Sequence, residues 1–481
     1  MSNRKSGVLM HVSSLPGSFS VGSFGAEARL FIDKLCEGGF SLWQVLPLCM
    51  TDEYNSPYKS LSAFAGNPYF IDLVTLYQKG LLTEGELLSA RQRTPYACEF
   101  DRLADEREAL LRVAASRVRD RSEILNFLKS HPELSVAVKY LATREKNGGA
   151  AHHTWTTDEY DFESYFYHAF VQYEFFTQWH ALKEYANSRG VKIIGDIPIY
   201  VAADGCEVWA EPEQFRLDAK GFPTDVAGVP PDYFSANGQM WGNPLYNYEE
   251  MAKDGFSWWR RRIRFALSMF DGVRIDHFRG FEAYWSIPVG ASSAKEGKWV
   301  KGPGKALIDA IRKEAGDRLV IAEDLGDITD AVRELLDYSG FPGMRVLQFG
   351  FISDNNSLHL PHNYPKNTVA YTGTHDNNTL LGYIWELSEE TRERVLEYCG
   401  ADGMTWERGC EAAIRTVLQS HADTAIIPVQ DLLVYGADTR MNTPGTSGKN
   451  WAYRISAEQL ESLPTEKLLR LNKLCGRRVD L

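Results

Sequence analysis

Eight short apolar runs, each closed by a polar or glycine-rich loop, limit what this chain of 481 residues can fold into. They lie at 7–12, 40–48, 191–201, 272–278, 319–324, 344–349, 368–374 and 424–429. Each is rich in β-branched residues and apolar on both parities, as parallel strands covered on both faces are. Helical patterns occupy 27–37, 165–188, 257–269, 305–315, 328–338, 388–398 and 406–419. Strands alternating with helices predict an α/β fold, a (β/α)8 TIM barrel, with a doubly wound open sheet as the alternative.

The spacing between runs is uneven. The gap 49–190, between the second and third runs, is far longer than one crossover needs. Its stretch 91–144 is rich in Arg, Glu, Leu and Ala, which predicts a largely helical insertion packed beside the barrel. A second insertion, 202–256, separates the third and fourth runs and has few helical signals but many Gly, Pro and aromatic residues. From the fourth run onward the units are mostly compact. Insertions after barrel strands lengthen the loops on the side where barrel active sites lie. No repeat, low-complexity segment or Ser/Gly linker divides 1–481, so one catalytic unit with embedded subdomains is expected.

Composition narrows the function classes. A net charge of −12 argues against tracking nucleic-acid phosphates and suits an uncharged substrate. Seven scattered cysteines without C-x-x-C spacing predict neither a disulfide framework nor a zinc knuckle, and fit a reducing compartment. The start, MSNRKSGVLM, has no apolar leader, and no run of 18 or more apolar residues follows. A cytoplasmic protein without a membrane span is therefore expected. Aromatic residues reach 12%, many beside Gly, Pro and Asn. Such rings either form small satellite cores or stack on sugar faces while polar neighbours read hydroxyls.

Ionisable side chains gather at the C-terminal ends of four predicted strands. The third brings Asp196, the fourth Arg274, Asp276 and His277, the fifth Glu323 and Asp324, the seventh His375 and Asp376. In the fourth, DGVRIDHFRG, side chains alternate with period two, so Arg274 and Asp276 share one face. Alone, that pair reads as an internal salt bridge, and one acid of IAEDLG reads as a helix cap. In a barrel, all four ends converge on one mouth. Three carboxylates there suit either a divalent-metal site or a glycosidase with a nucleophile, a general acid/base and a third supporting carboxylate. Arg274 favours the second, because a guanidinium supplies the counter-charge that a carboxylate nucleophile needs and repels a metal. Glu323 follows an apolar run, where desolvation favours the protonated form that an acid requires.

Two loops, 56–69 and 229–246, alternate aromatic rings with Asn, Ser, Gln and Gly. Each is either a private hydrophobic cluster or a sugar-binding surface, and the second has the Gly and Pro content of a lid.

The motifs SPYKSLSAFAGNPYFIDL, GDIPIYVAADGCEVWA, GVPPDYFSANGQMWGNPLY, GVRIDHFRGF, IAEDLG, TGTHDNNT and RMNTPGT occur in this order. Together they resemble glycoside hydrolase family 77, the amylomaltases or 4-α-glucanotransferases, from residue 7 to about residue 454. The resemblance implies a barrel of the α-amylase clan and a retaining double displacement on α-1,4-glucans (maltooligosaccharides, amylose or glycogen-derived chains), without metal or cofactor. It implies Asp276 as nucleophile, Glu323 as general acid/base and Asp376 as transition-state stabiliser. Arg274, His277 and His375 fall on positions that contact the sugar between them. Asp196, Ser56, Tyr58, Gln239, Trp241 and Asn442 match positions lining the glucan groove. It further suggests the short form without an N-terminal extension, and a monomer or small homo-oligomer. One departure is NWAYR at 450–454, where Tyr453 stands in place of a second tryptophan. The same carboxylates also fit an α-glucan hydrolase, which the residues alone do not separate from a transferase.

Overall fold

The computed structural model describes residues 4–231, 237–352 and 356–477. Its strands are β1 (Lys5–Leu9), β2 (Leu42–Gln44), β3 (Lys192–Ile197), β4 (Asp225–Val229), β5 (Gln239–Pro244), β6 (Gly272–Ile275), β7 (Ala283–Pro288), β8 (Lys298–Lys301), β9 (Leu319–Ala322), β10 (Gly343–Val346), β11 (Thr368–Tyr371) and β12 (Thr424–Pro428). Eight of them close a barrel in the order β1-β12-β11-β10-β9-β6-β3-β2. Every neighbouring pair in it is parallel, including β12 with β1, so the open-sheet alternative is excluded.

Strand alternation sorts the barrel's side chains into two packing layers. Leu9, Leu42, Ile194, Ile321, Met344, Val346, Val369, Tyr371 and Ile426 form an inner cluster. Val8, Trp43, Ile193, Val273, Ile275, Val320, Ala370 and Ile427 belong to the larger outer layer against the helices. Gly195, on the outer parity of β3, sits where an added Cβ would lie 2.2 Å from the Phe270 ring. A side chain there would push that ring off the strand. Asp196 has the parity of Ile194 and Arg274 alternates with Val273, so both acid and base continue the inner face at the C-terminal rim.

The gap between β2 and β3 carries the helices Leu73–Gln78, Glu84–Ser89, Glu108–Ser116, Ser122–Lys129, Pro132–Lys146 and Phe162–Ser188. The last precedes β3 and packs on the barrel through Phe175, Phe176 and Trp179, all buried. The stretch 202–256, read as loop-rich, contains β4 and β5 and the short helices Cys206–Ala210 and Tyr248–Lys253. The unit after β6, read as compact, inserts β7 and β8 before the helix Lys305–Ala315. These four strands form one antiparallel sheet, β5-β4-β7-β8, assembled from the loops that follow β3 and β6. Its partners lie in separate parts of the chain, so no local pattern announces it. Among the described residues, no helix is long and apolar enough to cross a membrane.

Candidate active site

Asp196 and Arg274 are direct neighbours in the β3–β6 register. Arg274 Nη1 donates to Asp196 Oδ1 at 2.8 Å and Oδ2 at 2.7 Å, and Tyr58 OH donates to Oδ2 at 2.7 Å. Arg274 Nη2 donates to Asp276 Oδ1 at 2.9 Å. The salt-bridge partner read from local spacing, Asp276, is therefore the second partner, and Asp196 from the next strand is the first. Burial disfavours the guanidinium charge, but Asp196 and Asp276 outweigh it and hold Arg274 well above its usual range. The Asp196 carboxylate is wholly enclosed. Expected in the groove lining, it meets Arg274 and Tyr58. Burial also pushes the Tyr58 phenol well up, with Asp196 adding to it, so this hydroxyl stays a donor.

Asp276 lies just past the end of β6, anchored by its N–H on Ile197 O at 3.0 Å, and its side chain remains 28% exposed. The following residue, His277, takes a left-handed conformation with φ 51°. For a non-glycine residue this is a strained turn, of the kind that redirects a chain at functional sites. It turns the His277 N–H onto Glu323 Oε2 at 2.7 Å. Leu325 N–H donates to the other oxygen, Oε1, at 2.8 Å. Burial raises the Glu323 carboxyl to about 7; Arg274 pulls it down, Asp276 pushes it up, and the two amides only partly offset the burial. Glu323 thus holds its proton more readily than an ordinary carboxyl and acts as an acid below neutrality. Burial, then Arg279, lowers the His277 ring to about 3, so it is neutral, and its buried Nε2 has no hydrogen-bond partner among the described residues.

The β11 end supplies the third carboxylate. Asp376 Oδ1 accepts from Asn442 Nδ2 at 2.6 Å and lies 3.3 Å from His375 Nε2. Asn442 is itself held by its N–H on His375 O at 3.1 Å. The His375 ring stacks on Tyr58 at 5.1 Å and 13°, and Trp451 leans on both at 5.8 Å. Tyr58 thereby joins the third strand end to the seventh. Ser56 caps its own turn, accepting from Tyr58 N–H at 3.3 Å and donating its N–H to Asp52 Oδ1 at 2.8 Å. On β5, Trp241 packs edge-on to His277 at 5.0 Å and 87°, with its Nε1 donating to Gln239 Oε1 at 3.1 Å.

All twelve residues singled out from the sequence are described, and they connect into a network around one mouth. The lid reading of 229–246 lies partly outside the described residues, at 232–236. Asp324, the second acid of IAEDLG, turns away from the mouth. Its Oδ1 accepts from Met344 N–H at 2.6 Å and its Oδ2 from Arg345 at 2.8 Å, so it fastens β9 to β10, while Thr329 caps the next helix. Two contributors were missed. Arg440 donates to the carbonyl oxygens of Asp376 and Asn442, and Trp451 covers the Tyr58–His375 stack. Both sit inside quoted motifs, but nothing in local spacing assigns them a partner.

A family model described as 4-alpha-glucanotransferase, glycoside hydrolase family 77, matches residues 10–460. A 4-alpha-glucanotransferase of Streptococcus pneumoniae is 43% identical over 99% of this chain and 98% of its own. One from Synechocystis is 41% identical over 100% of this chain and 99% of its own. The solved structure of an amylomaltase from Streptococcus agalactiae in complex with acarbose is 38% identical, with a TM-score of 0.95, covering 99% of this chain and 100% of that one. With barrel, strand ends and whole-length likeness in agreement, the chain belongs to glycoside hydrolase family 77, the 4-alpha-glucanotransferases.

Proposed function

We propose that this 4-α-glucanotransferase moves α-1,4-glucan segments between chains by a retaining double displacement, with Asp276 as nucleophile, Glu323 as general acid/base and Asp376 as the supporting carboxylate. The observation that carries the assignment is the contrast in surroundings at one mouth. Asp276 is held by Arg274, whereas Glu323 is pushed to about 7 by burial. A carboxyl raised by burial beside a carboxylate paired with a guanidinium is the pattern of an acid and a nucleophile.

In the first step an Asp276 oxygen attacks the anomeric carbon, and the bond to the leaving glucan breaks. The Glu323 proton passes to the departing oxygen, leaving a β-glycosyl ester and a shorter chain with a new 4-hydroxyl. Among the described residues Arg274 occupies Oδ1, which leaves Oδ2 to attack. In the second step the 4-hydroxyl of an incoming glucan attacks the same carbon and gives its proton to Glu323. The ester breaks, and Asp276 is restored. Asp376, held by Asn442, faces the positive charge that develops on the ring. The buried neutral His277, whose Nε2 has no partner among the described residues, suits a sugar hydroxyl, and Trp241 and Gln239 supply stacking and polar contact beside it.

Maltotriose tests the reading. Transfer yields a ladder of longer oligosaccharides plus glucose with no net growth in reducing ends; growth of reducing ends instead would mean hydrolysis with water as acceptor. Asp276→Asn should abolish turnover while binding persists, and activity retained at about a tenth of normal would remove Asp276 from its role.

A further inference from the structure

Past the ends of β6 and β9, the loops bearing Asp276 and Glu323 run side by side. Two backbone hydrogen bonds cross between them, Glu323 N–H to Ile275 O at 3.0 Å and Phe278 N–H to Glu323 O at 3.1 Å. Beyond Phe278 a side chain continues the connection. Arg279 Nη1 donates to the carbonyl oxygen of Asp327 and lies 3.4 Å from Asp327 Oδ2. Its guanidinium lies 3.7 Å from the centroid of the Trp299 ring, on β8. Trp285 packs edge-on to Trp299 at 5.0 Å and is fixed by its Nε1 on Ala294 O at 2.8 Å.

We propose that Arg279 is a positioning residue, a strut that sets the nucleophile loop against the acid/base loop and is locked by Trp299 of the accessory sheet.

The chemistry of the spot favours that role over a stability role. Arg279 is 5% exposed, while its only ion-pair partner among the described residues, Asp327, has a side chain 66% exposed. Its Nε is buried without a partner among the described residues, and burial lowers the guanidinium's proton affinity. A packed apolar side chain would fill such a place at less cost. What an apolar chain lacks is a directed donor for the Asp327 carbonyl and a cation for the Trp299 face. The accessory sheet also holds this segment from both of its edges. Trp241 of β5 packs on His277, and Trp299 of β8 packs on Arg279, two residues later. A sheet that carries proposed glucan contacts is thereby joined to the loop that begins at the nucleophile.

The inference rests on Asp276 and Glu323 being the reacting pair, and the test separates the two claims. In maltotriose disproportionation, Arg279→Met should lower kcat about 30-fold or more while KM stays within about twofold, since a displacement near 1 Å costs up to about 100-fold. Arg279→Lys, which keeps a donor and a cation but loses the planar stack on Trp299, should recover part of the kcat lost in Arg279→Met. Trp299 is partly exposed, so Trp299→Ala removes the lock without emptying a core; about a tenfold loss in kcat is expected, with Trp299→Phe close to wild type. A folded Arg279→Met enzyme with kcat within about twofold of wild type overturns the strut, as does a loss confined to KM. If Arg279→Met fails to fold, Trp299→Ala decides by the same criterion. An active Asp276→Asn enzyme would instead overturn the reacting pair; an inactive one alongside an unimpaired Trp299→Ala would remove only the strut.

Discussion

Asp196 and Glu323 are both carboxylates at strand ends of one barrel mouth, and burial pushes both upward. Their surroundings then diverge. Asp196 receives two hydrogen bonds from Arg274 and one from Tyr58, so its charge is matched by a guanidinium and spread over three hydrogen bonds. Among the described residues Glu323 receives only the amides of His277 and Leu325, and its neighbour Asp276 adds a like charge. The difference shows what makes an acid at such a mouth. Removal from water is common to both groups; lack of a hydrogen-bonded cation is what leaves Glu323 able to carry a proton near neutrality.

The comparison can be broken at either end. Replacing the acid, Glu323→Gln, should lower kcat/KM about 10³-fold, a loss read in the transferase assay with the folded state checked by circular dichroism. Replacing the structural partner, Asp196→Ala, should instead cost about 3–5 kcal/mol of folding stability in urea, because it removes the main partner of a buried guanidinium and leaves it Asp276. An Asp196→Ala enzyme unfolding at wild-type urea would mean the pair is not the hub described.

A pH profile sharpens the contrast without a mutation. Since the protonated form of Glu323 starts the reaction, kcat/KM should fall on a basic limb near 7. The linked stability has the same sign. A carboxyl raised in the folded state favours folding fully below its unfolded value near 4.5, and that contribution is lost as the pH rises to about 7. Glu323→Gln should flatten this dependence, read as urea midpoints at pH 5 and pH 8. The smallest effect belongs to Tyr58→Phe. It removes one donor from Asp196 but leaves the ring stacked on His375, so about 1.5 kcal/mol of stability is expected to go.

Much of this arrangement was legible before any coordinates. Parity along GVRIDHFRGF put Val273 and Ile275 on one face and Arg274 on the other, and the structure turns the first pair outward against the helices and Arg274 inward. The apolar run before Glu323 foretold its desolvation. Asp324 was ambiguous in the sequence, because a mouth acid and a helix cap ask for the same residue type; its bonds to the Met344 amide and Arg345 make it neither.

By itself the sequence determined the alternation of eight strands with helices and the placement of ionisable residues at strand ends. These are local properties, carried by residues a few positions apart and governed by the twofold and 3.6-fold periods of the backbone. Tertiary structure alone decided which charges meet. The β3–β6 register put Asp196 opposite Arg274, 78 residues away in sequence, and barrel closure brought Tyr58 within 2.7 Å of Asp196 and its ring onto His375. The accessory sheet likewise drew Trp241 and Trp299 from two insertions onto His277 and Arg279. Such pairings depend on register and closure, which are set by the packing of the whole barrel rather than by any stretch within it.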